Sequence, residues 1–324
     1  MNRFNNILPC FAAIVLTLAV TTGCSKNSIG PSDNLADGLN PSSGTPIAFE
    51  TEELFSKAEI VDDETLKSSG FGVWCWYEGG TSGLMFDGTE VTHNGTEWTY
   101  NPVRYWLNGT YNFFAAYPST LLVNHTGSDF TFSYDVANQV DVVAAYTGNI
   151  DGGNHPDAVA LNFKHLLCQL EFAAKSNATD MQAILYGIDI VGAVKTATYS
   201  ASTDTWTNPT VSSDIVYTVK GNDNLNGVDY TTLETGIMMI PQGVGGVDLI
   251  VRYYGADANG TLSPQERTYN IPTSEVAIWE KGKKYKYLLS VEENGQITFA
   301  APTVTEWTTA SGGSFIINTP TPAQ

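Results

Sequence analysis

From Ile47 onward, apolar and polar side chains alternate with a period of two residues in one short segment after another. In the clearest run, every second residue is apolar or aromatic: Tyr285, Tyr287, Leu289 and Val291. Comparable rows start at Phe71, Tyr111 and Val247. A period of two places successive side chains on opposite faces of a strand, whereas a helix needs a period of about 3.6 residues. The runs are rich in β-branched and aromatic residues, so the pattern predicts an all-β chain.

Turn signals separate these runs at short intervals. Asn-Gly and Asp-Gly dipeptides favour tight hairpins between antiparallel strands, and they start at Asp87, Asn94, Asn108, Asp151, Asn259 and Asn294. No segment has the periodicity of a long amphipathic helix. Residues 178–186 could form one helical turn, but the isoleucines in and after this segment fit a strand equally well. We therefore predict two antiparallel β-sandwich domains in tandem.

The polar stretch Thr147–Asp157 is the best boundary between these domains, because it contains Gly152-Gly153 and Pro156 and an apolar strand pattern starts again after it. The N-terminal domain is expected to span residues 46–157 and the C-terminal domain residues 158–324. Residues 24–45 are rich in Ser, Gly, Asn and Pro, which predicts a flexible tether before the first domain.

Residues 1–23 have the composition of an export signal. Arg3 supplies a positive charge, and the apolar run that follows, of about 14 residues, is too short to cross a bilayer as a helix. Small residues directly before Cys24 favour a lipoprotein signal peptide, with Cys24 as the lipidated residue. Thr21 stands where such signals usually have leucine, and an ordinary signal peptide cut near Gly23 stays the alternative.

The charge balance excludes nucleic acid as a partner. The chain has 34 acidic and 15 basic residues, for a formal net charge of −19, and such a surface repels phosphate backbones. The acidic residues are dispersed and form no tail. Outside the export segment the cysteines are Cys75 and Cys168, both in apolar segments. We favour two buried free thiols, although one disulfide between them stays an alternative in an oxidising compartment.

The sequence predicts no catalytic, cofactor or metal site, and no enzyme activity. The four histidines, His93, His125, His155 and His165, have no metal-ligand spacing, and the chain lacks a G-x-S-x-G motif. His165 lies in an apolar strand pattern and is interpreted as a structural residue.

Three further features are weighed as candidate sites and given ordinary roles. The adjacent carboxylates Asp62-Asp63 and Glu292-Glu293 are expected by chance in so acidic a chain. The loop 151–157 is too poor in acidic residues for a calcium site and is interpreted as linker. The glycines at 243, 245 and 246 predict a hairpin between Ile240 and Val247, since neither a helix nor a lysine follows them.

Aromatic side chains cluster in the first half of the chain and allow two interpretations. The cluster contains Trp74, Trp76, Trp98, Tyr100, Tyr105 and Trp106. Such rings could stack on sugars, which would favour a lipid-anchored surface glycan-binding protein. Most of them alternate at strand spacing, however, and large aromatic residues fill sandwich cores. We favour the core interpretation.

In its order of motifs, the chain resembles the fimbrillin family of Gram-negative surface proteins (the Mfa-like and FimA-like fimbrial subunits of Bacteroidales). The motifs that carry the resemblance are Ile47-Ala-Phe49, Phe71-Gly-Val-Trp74, Arg104-Tyr-Trp106, Tyr111-Asn-Phe-Phe-Ala-Ala-Tyr-Pro118, Phe163-Lys-His-Leu166, Trp279-Glu-Lys-Gly-Lys-Lys-Tyr-Lys-Tyr287 and Val304-Thr-Glu-Trp307. The resemblance implies two transthyretin-like, Greek-key domains, a lipoprotein precursor on the outer membrane, and assembly into a surface fimbrium with a role in adhesion. It implies no catalytic residue.

The resemblance also implies assembly by strand exchange with other fimbrial subunits. Proteolysis near the first strand, here about residues 46–55, opens a groove that a neighbouring subunit fills with a strand of its own. The donor would come from a C-terminal extension of the second domain. Residues 295–317 contain two candidates, the alternating Ile297, Phe299 and Ala301 and the apolar run Phe315–Ile317. A host glycan or protein is the implied ligand for adhesion.

One feature departs from the stalk subunits of that family, which are typically matured after an arginine. No arginine lies between Cys24 and Val103. Lys57 or Lys67 is then the candidate for proteolytic maturation. Alternatively, the first strand is never removed, as would suit an anchor, tip or accessory subunit.

Overall fold

The computed structural model of the chain describes residues 43–51, 61–177, 183–225, 229–256, 261–292 and 296–307. Strands dominate in these segments. Helical structure within them is limited to α1 (Asp63–Ser69) and two 3-10 turns, Val136–Asn138 and Gly152–Asn154. The predicted all-β fold class is confirmed.

The strands described in the first half of the chain are β1 (Phe49–Thr51), β2 (Phe71–Glu78), β3 (Gly83–His93), β4 (Trp98–Thr99), β5 (Thr110–Tyr117), β6 (Asn124–Thr126), β7 (Asp129–Asp135), β8 (Val143–Asp151), β9 (Val159–Leu161) and β10 (Lys164–His165).

Those in the second half are β11 (Cys168–Ser176), β12 (Ala183–Val191), β13 (Val194–Ser200), β14 (Thr205–Val211), β15 (Ile215–Leu225), β16 (Thr231–Met239), β17 (Gln242–Gly243), β18 (Asp248–Ala256), β19 (Leu262–Asn270), β20 (Ile278–Trp279), β21 (Lys283–Val291), β22 (Ile297–Phe299) and β23 (Thr303–Glu306).

Most of these strands belong to four sheets. In spatial order they are β10-β8-β5-β2-β3-β4, β14-β13-β7-β6, β15-β12-β18-β19 and β16-β11-β21, and the free edge of β21 pairs with β22 and β23. The pairings are antiparallel, as predicted, except for β1 with β9 and β11 with β21, which are parallel. The alternating row around Tyr285 is β21, at the centre of its sheet.

Two hydrophobic cores share the six-stranded sheet as a common wall. Phe71, Val73, Cys75 and Tyr77 of β2 belong to the first core. Trp74 of the same strand belongs to the second core, together with buried residues of the other three sheets. Both faces of β2 are therefore buried, which explains why its sequence is apolar at almost every position.

Strand pairing extends across the predicted domain boundary. β7 lies before residue 157 and pairs with β13, with Tyr134 opposite Ala197. At the predicted boundary itself, β8 ends at Asp151, whose Oδ1 accepts a hydrogen bond from the Gly153 N–H at 2.9 Å. The division into residues 46–157 and 158–324 stays a prediction.

Helix α1 is the element that the periodicity does not indicate. Asp62 caps it, because its Oδ1 accepts hydrogen bonds from the Thr65 N–H at 2.8 Å and the Thr65 hydroxyl at 2.7 Å. Gly70 ends it with a φ of 72°, a conformation that glycine adopts without strain. Only Leu66 is buried, so no apolar face repeats along the helix.

The glycines at 243, 245 and 246 do not form the predicted hairpin between Ile240 and Val247. β16 and β18, on either side of them, belong to different sheets, so the segment connects two sheets. β17 within it pairs with β20. The glycines mark a break between two strands correctly but do not indicate how those strands pair.

Candidate functional site

The first described segment, residues 43–51, is held between two other pieces of chain. On one side, the Ile47 N–H donates to the Arg104 carbonyl at 2.9 Å, and the Trp106 N–H donates to the Thr45 carbonyl at 3.0 Å. On the other side, the Val159 N–H donates to the Ala48 carbonyl at 2.8 Å, where the parallel pairing of β1 and β9 begins. The segment thus completes a backbone ladder that its neighbours cannot complete without it.

Ile47 and Phe49 fill the first core from this segment. Their relative exposures are 0% and 2%. The Phe49 ring lies 5.5 Å from that of Phe86, 5.6 Å from that of Tyr100 and 5.8 Å from that of Phe113, all in edge-on or tilted arrangements. The prediction that Ile47 and Phe49 cover core positions is confirmed.

Two side chains of the core hydrogen-bond to this segment. The Tyr100 hydroxyl donates to the Ile47 carbonyl at 2.7 Å, and the Trp98 Nε1–H donates to Thr51 Oγ1 at 3.3 Å. Burial raises the pKa of Tyr100 well above its usual value, so the hydroxyl keeps its proton and remains a donor. Without the segment this hydroxyl would lose its 2.7 Å acceptor, and the Arg104 carbonyl at 3.4 Å would remain.

Of the two candidate cleavage residues, only Lys67 lies within the described residues. Lys57 and the lipidation candidate Cys24 lie outside them. Lys67 lies in the last turn of α1, where its Nζ is 3.6 Å from Glu64 Oε1. A protease binds its substrate as extended chain, so cleavage after Lys67 would require α1 to unwind.

At the other end of the described chain, β22 and β23 share one edge of β21. Ile297 lies opposite Val291 and Phe299 opposite Leu289. The Phe299 ring also stacks on that of Tyr269 at 4.0 Å. Ile297 and Phe299 thus pair within their own chain, and their role as a donor strand stays a prediction. The second candidate, Phe315–Ile317, lies outside the described residues.

Trp307 fixes the point at which the C-terminal residues leave this edge. Its ring stacks on that of His165 with the centroids 3.9 Å apart, and its backbone N–H donates to the Gly282 carbonyl at 2.7 Å. The side chain is buried, with 4% relative exposure. Trp307, the last described residue, is therefore held firmly at this edge.

A family comparison gives this arrangement its context. The model of the fimbrillin-like family matches residues 58–307, more than half of the chain. This chain belongs to the fimbrillin-like family. A search of curated proteins finds no match.

Solved structures similar to this fimbrillin-like chain agree in fold. A fimbrial protein from Bacteroides vulgatus has a TM-score of 0.60 at 17% identity, over 81% of this chain and 99% of that one. A candidate cell adhesion protein from Bacteroides uniformis has a TM-score of 0.52 at 18% identity, over 82% of this chain and 100% of that one. At these identities the likeness is one of fold.

Membership of this family supports a role as a fimbrial subunit at the cell surface, and thus as a structural protein. Among the described helices of this fimbrillin-like chain, none is long and apolar enough to span a membrane.

Titratable side chains of the fimbrillin-like chain have structural roles. His165 is buried, and its Nδ1 lies 2.9 Å from Asp141 Oδ2. Glu292 binds the Asn177 amide and the Thr298 hydroxyl, which lower the pKa of its carboxyl group. Glu293 lies outside the described residues. No group of three or more His, Cys, Asp or Glu side chains in the described part of the chain is placed to hold a metal ion.

The aromatic cluster is divided between the two cores. Trp98, Tyr100 and Trp106 are buried in the first core and Trp74 in the second. Trp76 is half-buried beside His125, with the ring centroids 5.4 Å apart. Coplanar tryptophans on the surface would have favoured glycan binding, and their burial removes that support. The core interpretation of these four residues is confirmed.

The two thiols are buried and free, as favoured by the sequence. Cys75 lies in the first core and Cys168 in the second. Burial raises the pKa of both thiols, which keeps them protonated and unreactive.

Sequence analysis missed the residues that hold the first strand in place. β9 and the segment 104–106 hold it, and Tyr100 hydrogen-bonds to its backbone. A parallel pairing three residues long has no local signature, and its partners lie more than a hundred positions away. The only signal was the resemblance carried by Ile47-Ala-Phe49 and Arg104-Tyr-Trp106.

Proposed function

We propose that this fimbrillin-like chain is a subunit of a cell-surface fimbrium, exported as a lipoprotein through Cys24 and assembled by strand donation. The observation that carries the proposal is the first segment: it fills the first core with Ile47 and Phe49, yet it is held by short backbone pairings near one end of the described chain. Such an element can leave and be replaced.

Loss of the segment would create an acceptor groove. It would expose the apolar faces of Phe86, Phe113 and Tyr100, and it would remove the hydrogen bonds that the segment makes with the Arg104 carbonyl and the Val159 N–H. Burial of two large apolar side chains contributes roughly 3–6 kcal/mol. Unpaired strand edges with an adjacent apolar groove recruit another strand.

Cleavage after Lys57 suits this mechanism better than cleavage after Lys67. The region matched by the family model starts at residue 58, so a cut after Lys57 leaves all of it in place. A cut after Lys67 would also remove most of α1, with the buried Leu66 and the capping Asp62. We therefore assign maturation to Lys57.

The donor is assigned to residues 308–324. Its apolar run Phe315-Ile316-Ile317 has large apolar residues two positions apart, the same spacing as Ile47 and Phe49. Alternate residues of a strand point to the same face, so Phe315 and Ile317 can enter the positions that Ile47 and Phe49 vacate. The edge location of Trp307 lets this segment extend toward a second subunit.

The lipid on Cys24 and the first strand together determine where the subunit resides. While the strand is intact, the folded chain stays attached to the membrane through residues 24–45. Cleavage after Lys57 separates the folded chain from its lipid and opens the groove in one step. A subunit that escapes cleavage stays as an anchor. Adhesion to a host glycan or protein is part of the proposal.

The N-terminus of the mature protein tests this proposal. Mass spectrometry of surface-shed fimbrial material is expected to find a chain that starts at Ala58, and membrane-bound material is expected to carry a lipid on Cys24. Lys57→Ala should abolish the shed polymer, whereas the matched variant Lys67→Ala should leave it unchanged. Shed polymers that retain Ile47 and Phe49 would refute strand replacement.

A second experiment tests the donor. Chain cleaved after Lys57 is expected to form detergent-resistant ladders, and Phe315→Ser with Ile317→Ser should prevent them. The control Asn318→Ser with Thr319→Ser changes polar residues of the same segment and should leave the ladders intact. Ladders that persist in the first variant would assign the donor to another part of the chain.

A further inference from the structure

A groove with a volume of about 690 Å³ lies between the edge strand β14 and the glycine-rich connection after β16. Trp206, Pro209 and Val211 line one side of it, and Pro241 and Gly245 line the other. We propose that this groove binds residues 315–317 of its own chain before assembly, so that the C-terminal segment is folded back onto the subunit that carries it.

The groove and the segment match in chemical character. The chain has a net charge of −19, yet no residue that lines the groove is charged. Residues 308–324 contain no Asp, Glu, Lys, Arg or His. Val211 at the rim is 62% exposed, and a covering segment with Phe315 and two isoleucines would bury this apolar surface.

Contacts around Trp307 place the start of the segment at one end of the groove. Trp307 bonds to Gly282, and the adjacent Lys281 forms an ion pair with Asp204, directly before β14. The Trp206 Nε1–H donates to the Leu166 carbonyl at 2.9 Å, and the neighbouring His165 stacks on Trp307. Trp307 is therefore linked to Trp206 through the neighbouring residues His165 and Leu166.

The segment is long enough to reach along the groove. Phe315 lies eight positions after Trp307, and eight residues of extended chain span at most about 29 Å. β14 has seven residues, or about 23 Å of strand. Phe315 can thus reach any position between Trp206 and Val211 without leaving the surface of its own subunit.

β14 favours binding by side chains and not by a continued strand ladder. Pro209 has no N–H to donate, and Asn208 has a φ of 50°, which breaks the extended backbone. The pairing of β14 with β13 shifts register at the same place. Phe315 and its neighbours would therefore insert into the groove beside β14 while their backbone stays on the outside.

Self-binding would withhold the segment from other subunits until a stronger acceptor is open. This regulatory meaning rests on the proposed strand donation, whereas binding in the groove does not. An opened first core offers both an apolar groove and a backbone ladder, and the β14 groove offers only the former. The segment should therefore exchange from the β14 groove into a cleaved partner.

Hydrogen exchange on the full, uncleaved chain tests the self-binding. The triple variant Phe315→Ser, Ile316→Ser and Ile317→Ser should raise deuterium uptake in peptides that cover 205–213 and 240–246 by about tenfold. The matched control Asn318→Ser, Thr319→Ser and Thr321→Ser should not raise it.

A second variant changes the groove instead of the segment. Val211→Asp should raise uptake in the same peptides, because it places a charge in the groove. Its control, Ile215→Asp, changes an exposed residue outside the groove lining (53% exposed) and should have no effect.

Each outcome decides the proposal. Unchanged uptake in both the triple variant and Val211→Asp would refute it. Protection that disappears on dilution would identify a second copy as the occupant and would also refute self-binding. No cleavage is used, so a failure here leaves strand donation untouched, and a failure of the ladder experiment leaves the groove assignment untouched.

Discussion

The two parallel strand pairings of this fold both join distant parts of the chain, but they differ in length. Each joins strands more than a hundred positions apart, β1 with β9 and β11 with β21. The β1–β9 register covers three residue pairs, whereas that of β11–β21 covers eight, from Gln169–Lys284 to Ser176–Val291. β21 also pairs along its other edge with β22 and β23. We expect the long pairing at the centre of a sheet to persist, and the short one is the pairing that the proposed strand donation would exchange.

The largest effect is expected in the long pairing. Tyr287 is 1% exposed, packs against Phe172 with the ring centroids 5.3 Å apart, and accepts a hydrogen bond from Trp279 Nε1 at 2.9 Å. Tyr287→Ala should lower the free energy of unfolding by about 4 kcal/mol, because it leaves a large cavity in the second core. Denaturant titration measures this loss. Tyr287→Phe removes only the hydroxyl and should cost about 1 kcal/mol. Similar losses for the two variants would contradict the role of ring packing.

A smaller global effect is expected in the short pairing. Phe49→Ala should cost about 3 kcal/mol, at the low end for a buried phenylalanine, because the segment can detach instead of leaving a full cavity. Hydrogen exchange should then be faster in residues 45–51 and 159–161 than elsewhere in the first core. Glu50→Ala, at the half-buried neighbouring residue, is the control. It should change the free energy of unfolding by no more than about 0.5 kcal/mol and leave the pattern of hydrogen exchange unchanged. Uniformly faster exchange across both cores would show that the β1–β9 pairing opens only when the whole chain unfolds.

The Tyr100 hydroxyl should control how readily the segment opens. Tyr100→Phe removes the 2.7 Å hydrogen bond to the Ile47 carbonyl, together with two longer ones to the Arg104 backbone, and should cost about 1 kcal/mol. Cleavage after Lys57 should accelerate by about fivefold if it follows detachment of the segment. Tyr134→Phe is the matched control, since it removes a similar bond to the Val140 carbonyl in the second core. Equal acceleration in both variants would attribute cleavage to global unfolding.

The smallest effect is expected at the cap of α1, which follows the first described segment in the chain. Burial alone would raise the pKa of Asp62, but hydrogen bonds from Thr65 outweigh it and lower the pKa below 3.8. The carboxylate therefore contributes stability above its unfolded pKa, and that contribution is lost as the pH falls through the lower folded value. Asp62→Ala should cost about 1 kcal/mol at pH 7.

Thermal unfolding of this variant and the parent across pH checks the sign. The difference should shrink as the pH falls through the lowered pKa of Asp62, because the parent then loses its charged cap as well. Asp135→Ala, which removes the cap of a 3-10 turn elsewhere, is the control for a general effect of charge. A difference that grows toward low pH would contradict the assignment.

The sequence predicted what depends on local periodicity. The alternation at Tyr285, Tyr287 and Leu289 identifies β21, and the same rule identifies Ile47 and Phe49 as core residues. It does not identify pairing partners, because a strand records which of its faces is buried but not which strand lies beside it. The parallel pairings, the location of the glycine connection between two sheets and the partners of β1 therefore came only from the structure.

Apolar periodicity also failed to predict helix α1. With one buried residue, it has no repeating apolar face, and its stability depends on the cap at Asp62 and the stop at Gly70. Those two residues, seen together with the acidic first turn, are the signal that could have predicted it. The aromatic cluster was predicted better, since its strand spacing indicated a core role.

The shared wall between the cores has a mechanical consequence. In β5, Phe113 belongs to the first core and its neighbour Phe114 to the second. In a fibre assembled as proposed, tension would enter each subunit at the groove of the first core and leave it beyond Trp307. It would cross from one core to the other through the hydrogen-bonded sheet that contains β2 and β5. The tensile strength of such a fibre would then be set by the shearing of a sheet and not by the bending of a hinge.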